Sequence, residues 1–72
     1  MNIGILFDKE NNWLRKYFTI KDFEQFKHIN IKIEHDIKKI NNREIVFILG
    51  YTKILSKKDL ERNKLNLVIH ES

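Results

Sequence analysis

The order of apolar runs predicts an α/β fold: a small Rossmann-like, mostly parallel sheet of about four strands with two helices. Three observations carry the prediction. "EIVFILG" is continuously apolar from Ile45 to Leu49, as a central parallel strand covered on both faces must be. "INIKIEH" alternates Ile29, Ile31 and Ile33 with Asn30, Lys32 and Glu34, the period of a strand with one covered face and one wet one. Two segments with helix-start residues stand between strand-like runs.

The elements follow in chain order. "NIGILFD" sets Ile3, Ile5, Leu6 and Phe7 ahead of Asp8, too short a run for a typical helix, and reads as a buried first strand. "KENN" punctuates, with Asn11 or Asn12 available as a cap. "WLRKYFTIKDFEQFK" then places Trp13, Leu14, Tyr17, Phe18, Phe23 and Phe26 largely along one stripe, predicting a helix over 13–27 that breaks near Thr19, where "TIKD" offers a second capping box. The alternating "INIKIEH" suits an edge strand and "EIVFILG" a central one. In "SKKDLERN", Ser56 stands as N-cap with Asp59 three residues on, predicting a short helix, and "LNLVIH" is the fourth strand.

The piece between the second and third strands, Asp36 to Glu44, is nine residues. A parallel connection must run back along a strand of about 20 Å and shift sideways by roughly 5 to 10 Å, while nine extended residues reach about 30 Å. The crossover therefore fits without a helix, and an antiparallel pairing of these two strands stays open.

A length of 72 residues, 42% of them hydrophobic and 33% charged, allows one small domain, residues 1–72, near the lower limit for a single core. With no cysteine, neither disulfides nor thiolate metal sites can staple it. "MNIGILFDKE" lacks a basic leader, and no apolar run approaches the roughly 20 residues that span a bilayer, so a cytoplasmic protein without membrane partners is the expectation. The net charge of +4 comes from 11 lysines and 3 arginines spread along the chain, with only "SKKDLERNK" and "IKKINNR" locally basic. Lysine, isoleucine and asparagine dominate while alanine is absent, so the charge reads as solvated surface rather than a nucleic-acid footprint.

In parallel α/β sheets ligands gather at the carboxyl ends of the strands, and here those ends hold Asp8, then His35 with Asp36, then Gly50 with Tyr51, then His70 with Glu71. Each also has a plain structural role: Asp8 capping the first helix or its loop, "HD" making a turn, Gly50 relaxing the backbone at a strand end. His28, His35 and His70 lie in separate elements with none of the close spacings of zinc motifs. The two glycines, Gly4 and Gly50, are far apart, and neither opens a glycine-rich phosphate loop. No serine, histidine and acid combination supports nucleophilic catalysis.

Read as one unit, "EIVFILGYTKILSKKDLERNKLNLVIHES" resembles the folate-dependent formyltransferase family, which includes methionyl-tRNA, glycinamide ribonucleotide and sugar-nucleotide formyltransferases. Family members carry an apolar strand, a small residue and an aromatic, a stretch like "RILS" or "RIIP", a short helix, and a strand ending in a histidine followed closely by serine. Here these parts stand as "VFILG", Tyr51, "KILS", "KKDLERNK" and "LNLVIHES"; the "HES" ending and the opening "NIGILFD" are most similar to the subgroup with "ESDLPKG".

The resemblance implies transfer of a formyl group from 10-formyltetrahydrofolate to an amine, on a sugar nucleotide, an aminoacyl-tRNA or a ribonucleotide. It implies His70 as catalytic proton acceptor or oxyanion partner, and Gly50, Tyr51, Lys53, Ile54 and Leu55 along the folate, with Lys53 to Leu55 on the pterin side. Two departures accompany it. The family's usual asparagine two residues before the histidine is Val68 here, with Asn66 two residues further back on the same strand face. The family's Leu-Pro loop and catalytic aspartate would follow Ser72, so the resemblance implies a truncated front segment that does not turn over alone. A different reading is a small interaction module that self-associates through the edge of its last strand.

Overall fold

In the computed structural model, which describes residues 1–18 and 24–69, four strands form one sheet in the order β2-β1-β3-β4. The strands are β1 (Asn2–Leu6), β2 (Asn30–Glu34), β3 (Ile45–Leu49) and β4 (Leu65–Ile69). All three pairings are parallel, so the Rossmann-like α/β architecture expected from the sequence is the one observed. Among the described residues, two helices accompany it, α1 (Asn12–Tyr17) and α2 (Lys57–Glu61), with a 3₁₀ turn at Ile37–Lys39.

Strands β2 and β3 do not pair with each other; they flank β1, Ile3 facing both Ile31 and Ile45 in register. The nine-residue connection therefore passes over β1, and parallel pairing replaces the antiparallel alternative. It passes with one 3₁₀ turn, capped by the Asp36 carboxylate, which accepts from the Lys38 amide at 3.0 Å. Ile37 and Ile40 plug this connection into the sheet face that carries Leu6, Val46 and Ile48, and all five are buried. Each such side chain, taken fully out of water, contributes about 1.5 to 3 kcal/mol. Gly4 lets the connection lie this close: a Cβ there would stand 2.9 Å from Ile40 Cγ2 and 3.2 Å from Val46 Cγ2.

The opposite face belongs to α1. Leu14 packs there with Ile5 and Phe7, and Phe18, Ile31, Ile33 and Leu49 close around them. Because alternate residues of a strand point to opposite faces, Leu6 serves one layer and Ile5 and Phe7 the other. Asn11 caps α1 as expected, its side chain accepting from the Leu14 amide at 3.1 Å.

Helix α1 corrects the expectation of a helix over 13–27. It ends at Tyr17, where Phe18 turns extended, and Glu24 to His28 form turns rather than helix. The expected break and second capping box at Thr19 to Asp22, and Phe23, lie outside the described residues. The aromatic stripe is not one buried stripe: Trp13 and Tyr17 stack on each other at 4.9 Å on the exposed side, and Phe26 is exposed too. Of the described residues of the stripe, Leu14 is buried in the core and Phe18 packs half-buried beside it. The alternation in β2 is also blunted, because Lys32 and Glu34 are half-buried along with Ile31 and Ile33.

At the amino end of the sheet, buried Asn63 ties two loops. Its Oδ1 accepts from the Arg43 amide at 2.9 Å and its Nδ2 donates to the Ile40 carbonyl at 3.0 Å. Helix α2 begins with the anticipated capping box, Ser56 Oγ accepting from the Asp59 amide and the Asp59 carboxylate from the Ser56 amide. Asn66 donates to the Leu60 carbonyl at 2.7 Å, which fixes α2 on the Val46 side of the sheet. On the other side of the sheet, Leu49 of β3 packs toward Leu14, while Leu65, Leu67 and Ile69 of β4 stand exposed.

Candidate functional site

The strand order reverses direction between β1 and β3: the chain leaves β1 toward β2 on one side, then returns to place β3 on the other. At such a switch point the two loops leaving the carboxyl ends diverge and open a crevice. Here those loops begin at Phe7 and Gly50. Gly50 has φ of 53°, the left-handed region that glycine enters without a Cβ penalty, and this turns the chain out of β3. Its amide donates to the Ile69 carbonyl, so the turn is braced against β4.

The two loops are tied by one carboxylate. Asp8, 7% exposed, accepts through Oδ2 from the Thr52 amide at 3.0 Å and from Thr52 Oγ1 at 2.7 Å. Its own carbonyl accepts from the Asn11 amide, so Asp8 both leads into α1 and anchors the loop after β3. Its second oxygen, Oδ1, is buried with no hydrogen-bond partner among the described residues.

A second tie runs from β2. His35 packs edge-on against the Phe7 ring, centroids 4.7 Å apart, with Nδ1 3.0 Å from the Phe7 carbonyl. Tyr51 donates its hydroxyl to the His35 carbonyl at 3.1 Å. Burial of Tyr51, and secondarily the Asp36 carboxylate, push its phenol above the ordinary value of 10.0. Tyr51 thus stays a neutral donor through the physiological range.

Two adjoining clefts open at this edge. One, about 430 Å³, lies between α1 and the sheet, lined by Asn11, Leu14, Leu49, Gly50, Tyr51, Thr52 and Ile69. The other, about 550 Å³, is lined by Asp8, Glu10, Asn11, Gly50, Thr52 and Lys53. The first has an apolar floor with polar groups at its rim, the composition that suits a flat or partly apolar ligand.

Of the residues singled out from the sequence, Gly50 and Tyr51 line the first cleft and Gly50 and Lys53 the second. Lys53 Nζ also sits 5.8 Å above the Tyr51 ring. Ile54 is 96% exposed, and Leu55 packs against the core beside Ile37 and Ile40, so neither lines these clefts. Val68 lies beside Ile48 in register, half in solvent, and Asn66 on the same face spends its amide on Leu60. His70 and Glu71 lie outside the described residues. Thr52 escaped the sequence reading, because nothing local marks a threonine as the partner of a carboxylate 44 residues away.

Among the described residues no three histidine, cysteine or acidic side chains come together to hold a metal, and no helix is long and apolar enough to cross a membrane. No protein-family model, curated protein or solved structure matches this chain.

Proposed function

We propose that this chain is a formyltransferase-like segment that holds a folate donor at the carboxyl edge of its sheet, within a longer protein that transfers the formyl group of 10-formyltetrahydrofolate to an amine. The observation that supports it best is the cleft of about 430 Å³ after β3, with Gly50 and Tyr51 on its wall and the apolar floor of Leu14, Leu49 and Ile69. A pterin is flat, with one apolar face and a hydrogen-bonding edge, and such a ring is well held by main-chain groups beside aliphatic side chains. His70 is the next residue after Ile69 and is assigned the proton transfer as the amine attacks the formyl carbon.

Calorimetric titration of the 72-residue chain with 5-formyltetrahydrofolate, a stable analogue of the donor, tests the binding half. Saturable heat that disappears in Ile69→Lys supports the reading, and a folded chain that gives none removes it. Trp13 fluorescence is a secondary readout, because Trp13 is exposed on α1 and does not line the cleft.

A second reading rests on β4. Leu65, Leu67, Val68 and Ile69 are all exposed on an edge strand with no charge and no proline, whereas the other edge, β2, carries Lys32 and Glu34. In that reading the chain is an interaction module that pairs through β4, with a second copy as the first partner to test. Sedimentation across a concentration series decides it: association that Leu67→Lys abolishes supports it, and a monomer at every concentration rejects it.

A further inference from the structure

We propose that the layer formed by the β2 to β3 connection and the segment around α2 docks on an anionic lipid surface, with Ile54 entering the bilayer interface and lysines of both segments meeting the headgroups. Ile54 lines neither cleft, and the proposal does not depend on the folate reading.

In the sequence, "IKKINNR" and "SKKDLERNK" are separate and modestly basic. The fold brings them together. Ile37 and Ile40 seat the first on the sheet face of Leu6, Val46 and Ile48, and Asn66, in register with Val46, holds α2 over the same face. The two segments also bond directly: Arg62 Nη1 donates to Asn41 Oδ1 at 2.8 Å, and the Asn42 amide donates to the Arg62 carbonyl at 2.9 Å. Residues 36–44 hold three cations and two acids, and residues 53–64 five cations and two acids, so this layer carries the whole net charge of +4. Its acids are largely occupied, since Asp36, Glu44 and Asp59 accept from the Lys38, Asn2 and Ser56 amides. Lys38, Lys39, Lys57 and Lys58 are exposed and form no ion pair among the described residues.

Charge alone suits any polyanion, and Ile54 selects among them. It is 96% exposed, more than any other large hydrophobic residue described, while its neighbour Leu55 is drawn to the core. An aliphatic side chain gains little from a phosphate backbone in water. At a lipid interface it leaves water, and nearby lysines lay their stems along the apolar boundary with their ammoniums among anionic headgroups. The expectation of no membrane partner rests on the lack of a bilayer-spanning run, a criterion that does not bear on a surface contact.

Flotation of the 72-residue chain with phosphatidylcholine vesicles, with and without phosphatidylserine, tests the proposal. Binding is expected only where phosphatidylserine is present, and should weaken as salt is raised. Ile54→Ser, at an exposed position, should weaken it by about tenfold, the factor for leaving one aliphatic side chain in water. Lys57→Glu with Lys58→Glu should weaken it by about tenfold or more, and acids suit the first turn of α2, so that loss is not one of folding. The same charge change outside the layer, Lys16→Glu with Lys27→Glu, should cost several-fold less. A folded chain that ignores the anionic vesicles overturns the proposal, as does equal weakening by the two charge-reversed pairs, which marks attraction by net charge alone. Binding indifferent to Ile54→Ser overturns it too, and tighter capture of a single-stranded oligonucleotide by that variant assigns the layer to nucleic acid instead.

Discussion

Thr52 donates twice to one oxygen of Asp8, through its amide at 3.0 Å and its hydroxyl at 2.7 Å, and so fastens the loop after β3 to the end of β1. Thr52→Val keeps the shape and the amide bond but removes the hydroxyl donor. The expected loss is about 1 to 2 kcal/mol, read from the urea midpoint, with the slope unchanged. A variant as stable as the parent would show that the hydroxyl bond is replaced by solvent.

Gly4→Ala should be worse than strand propensity alone implies. The new methyl would press on the branched side chains of Ile40 and Val46, both fully buried and so without room to retreat. Overpacking of this kind costs about 1 to 3 kcal/mol, measurable by thermal or urea unfolding.

Gly50 shows the contrary case. Open space surrounds its missing Cβ, so the cost of Gly50→Ala comes from its φ of 53° alone, about 1 to 2 kcal/mol. Gly50→Asn should recover part of that loss, because asparagine tolerates the left-handed region. Equal stability of the two variants would contradict the conformational explanation.

Tyr51 predicts an alkaline weakness. Its phenol is held above 10.0 by burial first and by Asp36 second, so the folded state prefers the neutral form more than the unfolded state does. Its contribution is fully present below the ordinary value and is lost as pH rises through the folded one. Tyr51→Phe gives up the bond to the His35 carbonyl, about 1 kcal/mol near neutrality, and should flatten the fall in stability above pH 10.0.

Asp59 gives the acid counterpart. Hydrogen bonds from the Ser56 amide, then the Ser56 hydroxyl, hold its carboxyl below the usual 3.8, with Arg62 assisting. The stabilisation is present above 3.8 and is lost as pH falls through the lower folded value. Asp59→Asn should therefore narrow the stability difference between neutral and strongly acidic solution, followed by circular dichroism. Ser56→Ala, which removes the N-cap acceptor, should cost about 0.5 to 2 kcal/mol at neutral pH.

The strands were legible because their periods are. Ile45 to Leu49 announced a central strand, and β3 lies between β1 and β4; the Ser56 and Asn11 caps stood where side-chain chemistry put them. The extent of α1 was not legible, because aromatic spacing in "WLRKYF" continues past Tyr17 while the backbone turns extended at Phe18. Hydrophobic period reports which residues could share a face, and it carries no information on where tertiary packing stops being available. The same limit applies at the site. Gly50 and Tyr51 could be located from the strand end, but the Asp8 and Thr52 link depends on two loops converging, and Leu55 was drawn into the core by Ile37 and Ile40 from a connection with no helix signal.

The all-parallel ladder has a consequence for how the chain reaches this state. No two neighbouring strands are joined by a tight hairpin: Asn2 pairs with Asn30, Ile3 with Ile45, and even the closest ladder joins Ile45 to Leu65. Each pairing must close a long loop before any ladder hydrogen bond rewards it. The central position of β1 makes its meeting with β3, the most distant in sequence, the event on which both halves of the sheet depend. A chain of this size built from hairpins or helices could nucleate locally and fold quickly; the long separations in this ladder predict slower folding, with the edge of β4 open to other molecules until the sheet is complete.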